Sequence, residues 1–443
     1  MGYVSIFLGF ALVVWLIVKR WPAIIVGIIA STAIIVLNGL PFGETMDSVY
    51  FQGFVTMMKS IFPCLFAGSL LSQVFSLTGA VNSIGDAMSN ALFRDGLSDT
   101  RRYVSCILAV VLTSGVLAFC GMNSVVAIVA LYPIALRLME RAGIPKRFVM
   151  GMLSAGVYSF ALSGPGSAQL VNILGMQEMG TTSYAGLTIG IVTMLVEITV
   201  TTTLLTMMIR RDVARGKVFA YGPKDLVAVE SAGRPGALIS ILPLLVLVAL
   251  FNIISLDIFT STMFAWLLGV VLFWKYIPQK DGSRLRTLLG SCSEAGIQAF
   301  NPVGMVGSLV GFSSIVQSLP EFDSMINAVF SLSISPVIVL LISISFIAAL
   351  TGSSTSAIKI GMPIVAGRCQ EIGLTAAYVH RVSAFACTIF DSLPYSSAII
   401  INLGIADLDM KEGYPPMFIA TCVSTFCGTV TCAILMYLFP FLP

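Results

Sequence analysis

The sequence predicts an all-α polytopic membrane protein made of two inverted-topology repeats, each with five crossings, one re-entrant hairpin and one discontinuous helix. Three observations predict this. The 443 residues are 57% hydrophobic and 10% charged, with a mean hydropathy of +0.98, a composition foreign to soluble domains of this length. Apolar segments of spanning length follow one another from end to end. Two of them are interrupted by short polar stretches rich in Gly, Pro and Ser, one in each half. The net charge of +3 is small and follows the loops, so no nucleic-acid partner is expected. The nine Cys lie mostly inside apolar runs, as at Cys106, Cys422 and Cys432, without C-x-x-C or His/Cys spacing. They read as small buried hydrophobes, and no cofactor or metal centre is implied.

Segments 3–18 and 22–40 open the chain, separated by Lys19 and Arg20. Positive residues mark the cytoplasmic side, which puts the N-terminus outside. No basic region or A-x-A-like cleavage site accompanies segment 3–18, so it reads as a retained span. Segment 60–77 returns inward. Residues 81–93 are weakly amphipathic and flanked by Arg94, Arg101 and Arg102, the pattern of an interfacial helix. Residues 103–119 and 125–139 form two arms around the tip Cys120-Gly-Met-Asn-Ser124. Arg101 and Arg102 precede them, and Arg137, Arg141, Lys146 and Arg147 follow, so both ends face the cytoplasm. A re-entrant hairpin and two full spans both satisfy that charge pattern; the short arms favour the hairpin. A broken helix over 148–174 follows, interrupted by Ser163-Gly-Pro-Gly-Ser167. Segment 185–208 is a span with Glu197 near its middle. The polar stretch 210–236, with Arg210, Arg211, Arg215, Lys217 and Lys224, reads as a cytoplasmic linker between a first repeat, 1–209, and a second, 237–443.

After the linker the pattern restarts. Spans 237–251, 260–274 and 299–317 precede a short interfacial candidate at 320–330. A second hairpin, 334–365, turns at Thr351-Gly-Ser-Ser-Thr-Ser356. A second broken helix, 376–403, is interrupted at Asp391-Ser-Leu-Pro-Tyr-Ser-Ser397, and segment 416–439 ends the chain. The halves match in detail. Pro133 recurs as Pro363 and Gly143 as Gly373 at one spacing; Pro165 recurs as Pro394, and Ser154-Ala155 as Ser383-Ala384, one residue closer. Gly68-Ser-Leu70 recurs as Gly307-Ser-Leu309. Five crossings is an odd number, so the second half inserts upside down, and such repeats hold their substrate near the midplane.

Two hairpin tips and two breaks then converge. Broken helix is tolerated in a bilayer only where protein buries it or a polar cavity receives it. Half-helix N-termini present free N–H groups and partial positive charge, which suit a carboxylate. Hydroxyls and free carbonyls suit Na⁺ or a protonated group. The small residues also allow plain close packing of helices in lipid. Asp391 is an acid at membrane depth, where ionisable groups face a cavity or a partner.

These motifs resemble the gluconate permease family of the ion transporter superfamily, and its D-3-hydroxybutyrate permease-like members most of all. The resemblance rests on Ser163-Gly-Pro-Gly-Ser-Ala-Gln169 with Val171-Asn172 and Met176-Gln177, on Thr351-Gly-Ser-Ser354, and on Asp391-Ser-Leu-Pro394 with Ala398. Family members often carry His-Asn where this chain has Tyr395-Ser396, so the family's substrate does not transfer. The resemblance implies a carrier for small organic anions in the bacterial inner membrane, driven by H⁺ or Na⁺, H⁺ slightly favoured. It also implies an elevator-type motion against a static, dimeric scaffold.

The expected substrate ligands are Asn123, Ser124, Ser163, Gly164, Gly166, Ser167, Gln169, Asn172, Ser353, Ser354, Thr355, Lys359, Ser392, Tyr395 and Ser396. Asp391 and Glu197 are the expected ion-coupling acids, with a Na⁺ position near Asn123, Ser354 and Asp391. Lys359, one turn beyond the second tip, either neutralises a substrate carboxylate, pairs with Asp391, or snorkels to the surface. Glu197 either couples protons or pairs with a polar neighbour on the scaffold. His380, the only His, stands beside Arg381 near a helix start, where a surface position is expected. A cation/proton exchanger of the same fold would need more clustered carboxylates. An intramembrane enzyme would need a nucleophile–base pair or metal ligands at one depth, and no HExxH occurs. A channel would need a repeated filter motif.

Overall fold

In the computed structural model, residues 2–19, 21–93, 98–222, 225, 233–279, 282–322, 324, 335–371, 373–394 and 396–439 are described, and among them the chain is helical without strands. The first half contains α1 (Gly2–Val18), α2 (Ala23–Leu37), α3 (Phe42–Thr45), α4 (Gln52–Leu77), α5 (Ala80–Leu92), α6 (Asp99–Phe119), α7 (Ser124–Ala142), α8 (Val149–Val157), α9 (Phe160–Ser163), α10 (Leu170–Met179) and α11 (Leu187–Ala214). The second contains α12 (Ala237–Asn252), α13 (Ile258–Phe273), α14 (Arg284–Gln317), α15 (Pro336–Thr351), α16 (Ser354–Glu371), α17 (Ala376–Ala386), α18 (Ser397–Ala406), α19 (Met410–Phe418) and α20 (Ser424–Leu438). Two π-helical turns, Met46–Phe51 and Ile419–Val423, join α3 to α4 and α19 to α20.

Among the described residues, four helical stretches are long and apolar enough to cross a membrane: Asp99–Phe119, Leu187–Ala214, Ile258–Tyr276 and Met410–Leu438. The bent pair Phe42–Lys59 and Phe62–Leu77 makes a fifth, and shorter apolar helices include Ala237–Asn252 and Pro336–Ala349. Together they make a multi-pass membrane protein.

Several boundaries differ from the sequence reading. The span expected at 299–317 begins at Arg284, and the one expected at 60–77 begins at Gln52. Neither extension is apolar enough to announce itself. Both exist because α4 and α14 pack along their length, and tertiary packing rather than propensity stabilises such stretches. α11 runs on to Ala214, so Arg210 and Arg211 are helical rather than the start of the linker. The first hairpin arm has 21 residues, so the argument from short arms does not hold for it. Its tip is nonetheless inside the protein: Cys120 and Met122 are buried, and Gly121 lies against Ala168. Most of the interfacial candidate 320–330 lies outside the described residues.

The α4–α14 crossing is set by small residues. A Cβ on Gly311 would stand 2.8 Å from the ring and the carbonyl of Tyr50. One on Gly53 would meet the side chain of Ser314, and one on Gly307 the ring of Phe54 at 3.0 Å. Ser308 donates to the Ile24 carbonyl at 2.6 Å and exchanges a 2.7 Å hydrogen bond with Tyr50, which ties in α2. Around this crossing Ile6, Val26, Ile34, Tyr50, Phe312 and Val316 form a hydrophobic cluster separate from the main core. The main core holds the hairpins and the broken helices.

The linker is bonded to the first half. Asp225 accepts from Gly222 N–H at 2.6 Å, the Tyr132 hydroxyl at 2.7 Å and Lys146 Nζ at 2.9 Å. Asp212 pairs with Arg147 at 3.1 Å and Lys217 at 3.3 Å, and Tyr221 donates to Glu140 at 2.7 Å. Burial pushes the Asp225 carboxyl up, but the bonds from Lys146, Tyr132 and Gly222 outweigh it and hold the group below the usual carboxylate range. An acid depressed in the folded state stabilises above its unfolded pKa, and that contribution fades as pH falls through the folded value. Asp225→Asn should therefore lower the melting temperature at neutral pH. The gap to the parent should narrow once the pH falls below the unfolded carboxylate's value of about 4, and close at the lower pH where the parent's own carboxyl takes up a proton. A gap that persists undiminished in acid would show that Asp225 acts by something other than its charge.

Candidate functional site

The first interruption begins where α8 ends at Val157. After the short α9, Gly164-Pro165-Gly166 turns the chain, and α10 starts at Leu170. Proline lacks the N–H that a continuing helix needs. Gly166 adopts φ +81°, a left-handed conformation open to glycine at little cost. Its N–H donates to the Ser183 carbonyl at 2.8 Å, and its carbonyl accepts from Asn252 at 3.1 Å. Ser167 Oγ donates to the Ala161 carbonyl and accepts from Gln169 N–H at 3.2 Å. The break leans on the first hairpin tip: Ala168 N–H donates to the Phe119 carbonyl at 3.0 Å, and the Gln169 amide donates to the Ala118 and Met122 carbonyls. A Cβ on Gly164 would collide with the Phe160 carbonyl and Met194 sulfur, which explains the small residue there.

The second interruption separates α17, which ends at Ala386, from α18, which starts at Ser397. It leans on the second tip in the same manner. Asp391, 6% exposed, accepts from Ser392 Oγ at 2.7 Å and is hydrogen-bonded by the Ser354 hydroxyl. Ser396 Oγ donates to the Gly352 carbonyl at 3.1 Å, and Tyr414 donates to the Ser392 carbonyl at 3.1 Å. Tyr395 lies outside the described residues.

The first break is tied by Arg381 to α17, the helix that leads into the second; a surface position is expected from the sequence for this residue and for His380, and the structure corrects it. Both are fully buried. From α17 the guanidinium donates to the carbonyls of Ser163, Ser183 (3.0 Å) and Ala185 (2.7 Å), and to Asn172 Oδ1 at 3.1 Å. Asn172 in turn donates to the Ser167 carbonyl at 2.9 Å. Arginine's planar fork suits several acceptors at once. Among the described residues no carboxylate pairs with it. His380 packs against Gly175 of α10, and its Nδ1 shares a 2.7 Å hydrogen bond with Thr181. The signal was present in the sequence as a charged residue well inside the apolar run of 376–390.

Lys359 does not pair with Asp391. Its Nζ meets Glu178 of α10 at 2.6 Å, with the two side chains 17% and 20% exposed. This joins the first half-helix to the second hairpin arm. The reciprocal contact runs from α18 to α7 and α8, where Asn402 donates to the Tyr158 hydroxyl at 3.4 Å. Asn123 and Ser124 sit at the other tip. Asn123 Oδ1 caps α7 by accepting from Val125 and Val126 N–H, and its own N–H donates to Ser72 of α4 at 2.9 Å. Its hydrogen bonds therefore run to α4 and its own helix, and the expected Na⁺ position draws only Ser354 to Asp391. Ser353 caps α16 by accepting from Ser356 N–H at 3.3 Å, and Thr355 lies half-buried in the same first turn. Glu197 is elsewhere, fully buried on α11 against Gly428 of α20.

The chemistry of the assembly follows from its helix ends. The second hairpin arms are capped by Asn123 and Ser353. The half-helices that follow the breaks, α10 and α18, have no side-chain cap. Their first N–H groups carry partial positive charge at the breaks, and the one at α10 lies beside an arginine that among the described residues has no counter-acid. Such ends hold anions readily. Asp391 with its serines offers oxygen to a cation or a proton. Among the described residues no group of three or more His, Cys, Asp or Glu could hold a metal ion.

No family model matches the chain. An uncharacterized transporter, YxjC of Bacillus subtilis (strain 168), is 23% identical over 434 residues, spanning 87% of this chain and 88% of that one. A crystal structure of the Alcanivorax borkumensis YdaH transporter, described as having an unusual topology, superposes with a TM-score of 0.52 at 14% identity over 88% of each chain. The chain therefore has an all-helical fold similar to that of a known membrane transporter.

Proposed function

We propose that this protein is a secondary active transporter that imports a small organic anion, a hydroxy acid or sugar acid of the hydroxybutyrate or gluconate class, by cation symport. The observation that carries the proposal is the pair of interrupted helices, the first bound through Arg381 to the helix that leads into the second, with half-helices that lack a side-chain cap after both breaks and Asp391 among serines at the second. A buried cation and two positive helix ends favour an anion; the hydroxyls and amides of Ser163, Ser167, Gln169, Asn172, Ser353, Ser354, Thr355, Ser392 and Ser396 suit its own hydroxyls. The relative named as a transporter and the transporter of like fold support the class. The resemblance to gluconate permeases supports the substrate and an H⁺ rather than Na⁺ drive.

The mechanism proposed is an elevator. Polar ties join the hairpins and broken helices of the two halves: Arg381 to the first break, Lys359 to Glu178, Thr181 to His380 and Asn402 to Tyr158. Toward α4 the first tip presents small groups, with Gly121 facing Gly68 and one bond from Asn123 to Ser72. The strongly bonded part would move as one body, and the α4–α14 crossing would belong to a static and dimeric scaffold. Two inverted repeats in the bacterial inner membrane, with both termini outside and the linker inside, complete the proposal. The rival of the same fold, a cation/proton exchanger, predicts cation flux without any organic anion.

Three measurements test it. A Lys217→Cys variant should react with impermeant thiol reagents from the inner face only; reaction from the outer face alone would reverse the orientation. Lys359→Met should insert normally yet lose carboxylate-dependent thermal stabilisation, since Lys359 is the cation of the second hairpin arm nearest its tip; full stabilisation would remove Lys359 from the site. In proteoliposomes, Asp391→Asn, which mimics the protonated acid, should keep counterflow exchange of substrate and lose accumulation driven by a pH gradient. Accumulation driven by pH alone in that variant would exclude Asp391 as the coupling group.

A further inference from the structure

Glu197 is a charge-bearing group that the candidate site does not use. It is fully buried in α11, and neither carboxyl oxygen has a hydrogen-bond partner. The hydroxyls of Thr201, Thr202 and Thr206, farther along α11, are likewise buried and unbonded. An ionised carboxylate placed this way would lose its hydration without compensation, a state proteins avoid by pairing or neutralising the group. A metal ion does not solve the problem. The side chain fits against Gly428 of α20 so closely that a Cβ there would lie 2.7 Å from Oε1. A proton needs no room.

We propose that Glu197 is a proton-binding site separate from the breaks, and that its proton favours the anion held at them. The second clause rests on the carrier reading above. The step is carboxylate plus H⁺ giving the neutral acid, with nothing else made or broken. The link is Arg381. Its side chain lies along α11 at Gly186 and Gly190, with Cδ 3.5 Å from where a Cβ on Gly190 would be. Glu197 is seven residues beyond Gly190, two turns along the same face and about 10 Å away. Of the elements packed on α11, α20 carries Cys427, Cys432 and, near its end, Tyr437, the adjoining π turn carries Cys422, α9 carries no titratable group, and α6 carries Tyr103 and Cys106, with its charged residues confined to its first turn. Arg381 touches α11 at Gly186 and Gly190, two turns and more before Glu197. A neutral Glu197 leaves the arginine's field at the breaks undiminished, whereas an ionised one would oppose it. The guanidinium itself binds the Ala185 and Ser183 carbonyls just before α11, about 15 Å from Glu197, and across that distance of protein interior the opposition corresponds to roughly a fivefold change in the affinity of a bound anion.

Two readouts decide the matter. Infrared difference spectra at neutral pH, recorded without substrate, should show a carboxylic-acid C=O band in the parent that Glu197→Gln lacks and Asp391→Asn retains. Identical parent and Glu197→Gln spectra would overturn the proton site. Should Glu197→Gln fail to fold, absence of the band from Asp391→Asn would do the same. In calorimetric titrations with gluconate and 3-hydroxybutyrate, made in an Asp391→Asn background so that the coupling acid does not titrate, binding should be roughly fivefold weaker at alkaline than at mildly acidic pH. Adding Glu197→Gln should give binding at both pH values like that background in acid. A double variant that keeps the background's pH dependence would overturn the link to the anion. A parent that binds neither acid at any pH would overturn the carrier reading together with that link, while the infrared band, read without ligand, would still judge the proton site.

Discussion

A guanidinium without water must find its hydrogen bonds inside the protein, and much of this structure follows from where Arg381 finds them. Its acceptors come from α9, from the segment between α10 and α11, and from Asn172 in α10. Carbonyls at the end of a terminated helix are the acceptors most in need of donors, because no later turn of the helix supplies them. The break in the first half and the arginine in the second thus each satisfy what the other lacks. Removing the arginine would leave several buried carbonyls unpaired, each at a cost of about 1–3 kcal/mol. Removing the break would leave the charge unsolvated.

The same reasoning accounts for the remaining cross-links. Lys359 and Glu178 are both partly buried, and each lowers the cost of burying the other. Thr181 and His380 meet a few residues away. These contacts gather on one side of α10, so that a ten-residue half-helix with no side-chain cap at its N-terminus is held by side chains from α16 and α17.

Helical segments and their interruptions are legible in the sequence because they obey local rules. Apolar runs of sufficient length are helices in a membrane, and Pro394 or Gly164-Pro165-Gly166 ends one wherever it occurs. The pairing of Arg381 with Ser163, or of Lys359 with Glu178, obeys no local rule. It depends on which helix faces which, and two residues separated by 181 or more positions carry no mark of their contact. The charge of Arg381 inside an apolar run was the available clue, and adjacency to a helix start concealed it. The extra length of α14 is hidden in the sequence for a related reason: residues 284–298 are held by packing on α4 and not by hydropathy.

The α4–α14 crossing has a mechanical corollary. Where Gly311 meets the ring and carbonyl of Tyr50 and Gly53 meets the side chain of Ser314, the two surfaces interlock with no room for another carbon atom. Helices that interlock at this separation cannot rotate or shift by a turn without steric collision, so the crossing behaves as a weld. Any large displacement in this molecule has to be accommodated at surfaces other than this one, and the crossing supplies the fixed frame against which such a displacement would be measured.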